Sequence, residues 1–233
     1  MPKLFFLSKF NPSKRFLKGF GKLGQPVISD FKPGEKYDVM ITSGLTAQTS
    51  NTQSVGETTG TEAHPTTAAK VPEALGHIDP AILEAVRAGT PLFVLPQTDA
   101  LSDGCAQQLA AAGAFAFHGN VGDYRAPWMG NWYFGREHAL FNGLPTNAAL
   151  GNFYQIPARQ SNGLLIDRHP DAAPGQPAPE ILIAYSRDHD RSVGAGTFTT
   201  RLGKGKVLYH RTPEFHPVLQ ARFLANALRW LTS

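Results

Sequence analysis

Residues 79–95 read DPAILEAVRAGTPLFVL, and this stretch decides the fold. Asp79 is a good N-cap, Pro80 suits the first helical position, and Gly89 tolerates the positive φ found at helix ends. Residues 91–95 then form a continuous apolar run, which is typical of a parallel strand buried on both faces. A short helix followed at once by a buried strand is the repeating unit of α/β domains.

The same alternation continues on both sides of this unit. Residues 37–44 form a strand that ends in small polar side chains. A second helix is expected from Ser102 or Asp103 to Gly113, and residues 114–117 form a short strand after it. This order of strands and helices predicts a doubly wound, mostly parallel sheet with helices on both faces.

The second half of the chain is less regular. Residues 119–160 are aromatic, rich in glycine and without a clear period. Residues 180–185 read as a strand, and residues 193–201 and 206–210 read as a hairpin joined through a Gly-Lys-Gly turn. An apolar helix at 217–231 closes the domain against the sheet.

The positive charge of the chain is concentrated at one end. The net charge is +4, but six basic residues precede the first acid, Asp30, and the remaining 16 basic and 18 acidic residues leave a net charge of −2. We interpret residues 1–36 as a partly ordered basic arm, with a weak strand at 3–8, and residues 37–233 as the domain. A solvated leader is the favoured role of the arm, and a nucleic-acid or anionic-membrane arm is the alternative. We expect no nucleic-acid partner.

Targeting and membrane segments are not evident in the sequence. The apolar run at 4–7 is shorter than the ~7–15 residues of a signal-peptide core. No apolar run approaches the ~18 residues of a membrane span. Residues 45–70 are rich in Thr and Ser without an apolar period, and a loop of this length is functional or disordered in most domains.

Cys105 is the single cysteine, which excludes a disulfide framework and a thiolate zinc site. A cysteine nucleophile needs a base and an oxyanion site, and an elbow would place it directly after a strand. Cys105 comes ten residues after the strand that ends near Leu95. We therefore interpret it as a small apolar core side chain.

His216 is the second candidate for catalysis. It lies in Phe215-His216-Pro217, but Val218 stands where an orienting carboxylate would be needed, so a residue at the start of a helix is the favoured interpretation. The eight histidines show no metal-ligand spacing, and residues 187–191 read as a charged loop. Residues 203–206 read as a hairpin turn, because no helix N-terminus follows to bind phosphate. We predict no metal and no cofactor.

A ligand, if one binds, is expected beyond the carboxyl ends of the strands, where doubly wound sheets hold theirs. The competing interpretation is that the polar side chains there only close loops and cap helices. The aromatic segment 128–154 is a second candidate, either as a sugar-stacking surface or as an interface. The candidate ligand-facing residues are Thr42, Ser43, Gln97, Thr98, Asp99, Trp128 and Trp132.

Four segments together resemble a known family. Residues 79–99 resemble the core of class I glutamine amidotransferase-like, flavodoxin-like domains of the trehalose-utilisation type. Residues 137–145 resemble the family's His-Pro-Leu-Phe-x-Gly-Leu-Pro loop, with Ala139 in place of the proline. Residues 203–207 and 223–230 resemble its last hairpin and closing helix. With residues 148–155, the set is most similar to the domain near the C-terminus of family 2 β-galactosidase-like glycoside hydrolases.

The resemblance implies a function that needs no catalytic residues in this chain. The catalytic carboxylates of such enzymes lie on a separate barrel, and the amidotransferase triad is not carried over, since the elbow cysteine and the glutamate after the proline are absent here. We therefore expect an accessory domain, or a fragment, that packs against other domains or subunits of a glycosidase. The compartment is left open, because a parent enzyme of this kind can be periplasmic or secreted. A small hydrolase using Cys105 or His216, a sugar-binding module and a homo-oligomer remain alternatives.

Overall fold

The computed structural model describes residues 1–7, 20, 23–44, 76–96, 99–120, 131–146, 148–149, 163–187, 193–211 and 217–233. The strands are β1 Lys3–Leu7, β2 Gln25–Ser29, β3 Val39–Thr42, β4 Leu92–Val94, β5 Ala116–Asn120, β6 Asn131–Gly135, β7 Ala148–Ala149, β8 Leu164–Asp167, β9 Glu180–Arg187, β10 Val193–Leu202 and β11 Gly205–His210. The helices are α1 Pro80–Ala88, α2 Asp99–Ala111 and α3 Pro217–Leu231, with a 3-10 turn at Ala139–Phe141.

The strands form one mixed sheet in the order β2-β1-β3-β4-β11-β10-β9-β6-β7, with β8 on β10 and β5 on β8. The pairings from β2 to β11 are parallel, and those from β11 to β7 are antiparallel. The predicted α/β, flavodoxin-like architecture with a C-terminal hairpin and closing helix is therefore confirmed.

Two apolar layers cover the sheet. On one face, Ile82 and Val86 of α1 and Leu109 of α2 pack with side chains of the parallel strands. On the other face, Phe223 and Leu228 of α3 pack with the alternate residues of the same strands. Burial on both faces explains why the parallel strands read as unbroken apolar runs.

The residues predicted to begin and end the helix in 79–95 have those roles in the structure. The Asp79 carboxylate accepts a hydrogen bond from the Ala81 backbone N–H at 2.8 Å, and α1 ends at Gly89 with φ of +128°. The hairpin also forms as predicted, and its turn seats on the same helix, where the Lys204 N–H donates to the Arg87 carbonyl at 3.0 Å. An added Cβ on Gly205 would lie 2.2 Å from the Val86 oxygen, so only glycine fits there.

Two local expectations need correction. α2 begins at Asp99 rather than at Ser102 or Asp103, because the Ser102 hydroxyl bonds to Tyr209 instead of capping the helix. Part of 119–160 is regular, because the aromatic residues of β6 suit a strand and pair with β9.

β1 and β2 lie at one end of the sheet. β1 is hydrogen-bonded to β2 on one side and to β3 on the other, and Leu4 and Phe6 are fully buried. The strand predicted at 3–8 is thus present and belongs to the sheet. Whether residues 1–36 are separable from a domain that starts at residue 37 stays a prediction.

Candidate functional site

β3, β4 and β11 end at one edge of the sheet, which we call the carboxyl edge. Thr42 is in register with Val94, which is in register with Tyr209. Thr42 and Ser43 are buried there. The Thr42 hydroxyl accepts a hydrogen bond from the Gly44 N–H at 3.0 Å, whereas the Ser43 hydroxyl has no hydrogen-bond partner among the described residues. Thr42 therefore closes a turn, and a ligand role for either residue stays a prediction.

The remaining candidates are described only in part. Asp99 is the first residue of α2 and Trp132 lies in β6, with only their backbones described. Gln97, Thr98, Trp128 and His216 lie outside the described residues. The side chains of the loop 187–191 are also outside this description. Ligand binding by these residues stays a prediction.

At the carboxyl edge, three glycines allow the backbone to pack closely against the Cys105 thiol and α2. Gly44 has φ of +83°, and its carbonyl accepts from the His77 N–H at 2.8 Å. A Cβ on Gly104 would lie 2.2 Å from the Gly76 oxygen, and a Cβ on Gly44 would lie 2.4 Å from the Cys105 sulfur. The backbone therefore closes directly on α2 and on Cys105.

Cys105 itself is fully buried. It lies six residues after the start of α2, more than one and a half turns from the helix N-terminus. Burial raises the pKa of the Cys105 thiol to about 12. The thiol is therefore protonated at neutral pH, and the thiolate that acts as nucleophile is not available.

Tyr209 and Ser102 form a buried pair next to the thiol. The Tyr209 hydroxyl donates to the Ser102 carbonyl at 2.7 Å and lies 2.6 Å from the Ser102 hydroxyl. Burial raises the pKa of Tyr209 well above its usual range. The pair joins β11 to α2, and no local pattern in the sequence indicates it.

A cluster of charged and polar side chains lies close to the Tyr209–Ser102 pair. The Asn120 amide donates to both carboxylate oxygens of Asp103 at 2.9 Å, and Arg211 donates to the Asn120 carbonyl oxygen at 3.1 Å. The Arg211 guanidinium also lies 3.6 Å from Asp103. One positive and one negative charge are thus held together through an amide, so the cluster has no net charge.

His210 lies on the opposite face of the sheet. Its Nδ1 is 2.8 Å from the Thr197 hydroxyl, and its ring packs on Phe223 with centroids 4.4 Å apart. Burial lowers the pKa of His210 to about 3. This imidazole is therefore neutral and sits in the core rather than facing solvent.

The segment 138–145, which carries the resemblance to the His-Pro-Leu-Phe loop, is fastened to α3. The Asn226 amide donates to the carbonyls of Leu140 at 3.1 Å and Asn142 at 2.9 Å. Arg222 donates to the Gly143 carbonyl at 2.7 Å. In this chain the loop therefore has a packing role.

The described residues offer neither a metal site nor a membrane-spanning helix. Among the described residues, no three His, Cys, Asp or Glu side chains are grouped closely enough to hold a metal ion. In the same residues, no helix has the length and apolar character needed to cross a bilayer.

Comparisons with known proteins give likeness of structure only. No family model and no curated protein sequence matches the chain. A cytoplasmic protein from Salmonella typhimurium LT2 is similar over 99% of this chain and 100% of its own, at 14% identity and a TM-score of 0.52. The cold-adapted β-galactosidase from Rahnella sp. R3 matches 99% of this chain at 12% identity and a TM-score of 0.53.

A β-galactosidase from Bacillus circulans sp. alkalophilus matches 98% of the chain at 11% identity and a TM-score of 0.51. The chain spans 31% of the length of each β-galactosidase. This α/β fold therefore occurs both as a whole protein and as about a third of larger glycosidases.

Proposed function

We propose that this chain is a non-catalytic, amidotransferase-like α/β domain of the trehalose-utilisation type. Its work is to pack against other domains or subunits of a β-galactosidase-like glycosidase. The proposal rests mainly on Cys105. Its thiol packs closely against Gly44 and is protonated at neutral pH, so it cannot act as a nucleophile.

The polar groups of the carboxyl edge support the same proposal. Arg211 binds Asn120, Tyr209 binds Ser102, and His210 faces Thr197. A reacting group must reach a substrate and exchange a proton with it. Groups that are buried and bonded to one another hold the strand ends in place instead.

The glycosidase part of the proposal is supported by the likeness to the two β-galactosidases, in which a region of this fold makes up about a third of the chain. A fold does not by itself set a function, so this likeness supports a place in a glycosidase, and the buried polar groups described above support the packing role.

Affinity purification of the chain from its source cells, followed by native mass spectrometry, tests the packing role. We expect a glycosidase barrel, either in the same polypeptide or in a bound subunit. Recovery of the chain alone, or with partners that lack any glycosidase domain, would contradict the proposal.

Assays with nitrophenyl glycosides and with glutamine test the absence of catalysis. We expect no turnover by the purified chain. Turnover that disappears in Cys105→Ala or His216→Ala would instead identify the small hydrolase considered above.

A stand-alone protein is the second candidate. The Salmonella typhimurium LT2 protein supports it, because this chain covers its full length. Sedimentation of a single species with no partner in the source cells is the outcome expected for this candidate.

A further inference from the structure

The segment 138–145 lies against one stripe of α3. Arg222, Asn226 and Trp230 follow one another at intervals of four residues, so they share a face of the helix. Arg222 and Asn226 bind backbone carbonyls of the segment, as described above. Trp230 meets the His138 ring in an edge-on contact with centroids 5.9 Å apart.

His138 fixes the start of this segment through one ring nitrogen. Its Nδ1 accepts a hydrogen bond from the Leu140 N–H at 3.2 Å, and the ring thereby caps the 3-10 turn. An acceptor nitrogen carries no proton, so the neutral ring holds its proton on Nε2. That nitrogen faces Glu180 of β9 at 3.8 Å.

We propose that His138 is a pH-sensitive clamp that fastens the segment 138–145 while its Nδ1 is unprotonated and releases the Leu140 N–H when the ring takes up a second proton. An imidazolium ring has two donors and no acceptor, so it cannot keep the hydrogen bond from Leu140. The charged ring is then drawn toward the Glu180 carboxylate, and the cap of the turn is lost.

Several charged groups surround the ring. Burial has the largest influence and lowers the pKa of His138 below its usual value; Glu180 raises the pKa and Arg136 lowers it. Lys206 of β11 lies over the Trp230 ring at 5.1 Å. From α3, Arg222 binds Gly143. Glu137, the neighbour in the chain, is exposed. The clamp is thus closed at neutral pH and opens in acid, once the pH falls below the lowered pKa of the ring.

The test measures hydrogen exchange at the Leu140 amide while the His138 ring is titrated by NMR in the same sample. We expect protection relative to the unfolded chain to be constant above the ring's pKa. It should fall about fivefold to tenfold below that pKa, as for loss of a helix cap. Protection that stays constant while the ring signal titrates would overturn the proposal.

His138→Asn supplies a matched variant, because the Asn side-chain oxygen can cap the turn but does not titrate. Its Leu140 protection should not vary with pH. The control is His169→Asn, since His169 Nδ1 accepts from the Asp171 N–H at the same 3.2 Å spacing in another loop. The control should keep the wild-type profile. The same pH dependence in both variants would contradict the clamp. The clamp does not depend on the proposed glycosidase role.

Discussion

At the scale of single residues, burial sets the chemistry of the Cys105 thiol. A pKa of about 12 makes its thiolate fraction at pH 8 on the order of a thousandfold smaller than that of an exposed cysteine. We therefore expect iodoacetamide to label the native chain at least a hundredfold more slowly than the chain in urea. Mass spectrometry measures both rates. A native rate within tenfold of the unfolded rate would show that the thiol is open to reagents.

His210 makes the native state sensitive to acid. Its pKa is about 3 in the folded chain, against about 6.5 when unfolded, so below pH 6.5 the unfolded chain binds a proton that the native state refuses. The free energy of unfolding should fall by about 2 kcal/mol between pH 6.5 and pH 5 on this account.

Urea unfolding at several pH values measures this dependence. His210→Asn should flatten the slope in that window. Replacement of the exposed His77 by Asn serves as the control and should leave the slope unchanged. If the free energy of unfolding depends on pH equally in wild type and His210→Asn, His210 is protonated in the folded chain as readily as in the unfolded chain, and the prediction is wrong.

Some residue roles were readable from the sequence and others were not. The Asp79 cap and the Gly89 end follow from neighbours along the chain, so the sequence predicts them. The cluster of Asp103, Asn120 and Arg211 joins residues that are up to 108 positions apart in the numbering. Their meeting depends on the order of the strands, which local patterns do not contain.

At the scale of elements, α3 is held by side chains as well as by apolar packing. Asn226 is buried and supplies the donor for two carbonyls of the segment 138–145. Asn226→Ala should lower the free energy of unfolding by about 1–3 kcal/mol, because buried acceptors lose their partner. Urea titration gives the value. Arg229→Ala, at an exposed position of the same helix, should change it by less than about 0.5 kcal/mol.

The elements differ in how far the sequence predicts them. α3 has the predicted bounds, because its apolar stripe is long and regular. β6 was missed because its aromatic residues lie in a glycine-rich stretch, and only pairing with β9 makes it a strand. The start of α2 was misplaced because Ser102, a good capping residue type, is used by Tyr209 instead.

At the scale of the whole molecule, one end of the sheet is unsuited to strand addition. β2 is the last strand at that end among the residues the structure describes, and its Gln25 N–H donates inward to the Pro2 carbonyl at 2.9 Å. By alternation along the strand, Pro26 faces outward, and proline has no N–H to offer. Strand addition is therefore hindered at Pro26.

The first strand also makes the N-terminus part of the core. Leu4 and Phe6 pack on the α3 face and Phe5 and Leu7 on the other, each buried. Removing residues 1–36 takes away these four side chains and the buried Phe20. Five core side chains worth about 2 kcal/mol each are comparable to the whole stability of a domain. We expect the shortened chain not to fold, as judged by circular dichroism and proteolysis.

A deletion of similar length supplies the control for this experiment. Gly44 and Gly76 flank residues 45–75, and a Cβ on Gly44 would lie only 3.3 Å from the Gly76 Cα, so a three-residue linker can join them. This deletion removes no described residue, and a short linker between ends that already meet costs little. It should leave the chain folded. A chain of residues 37–233 that unfolds cooperatively near wild-type stability would instead show that the arm is separable and that β1 adds little to the core.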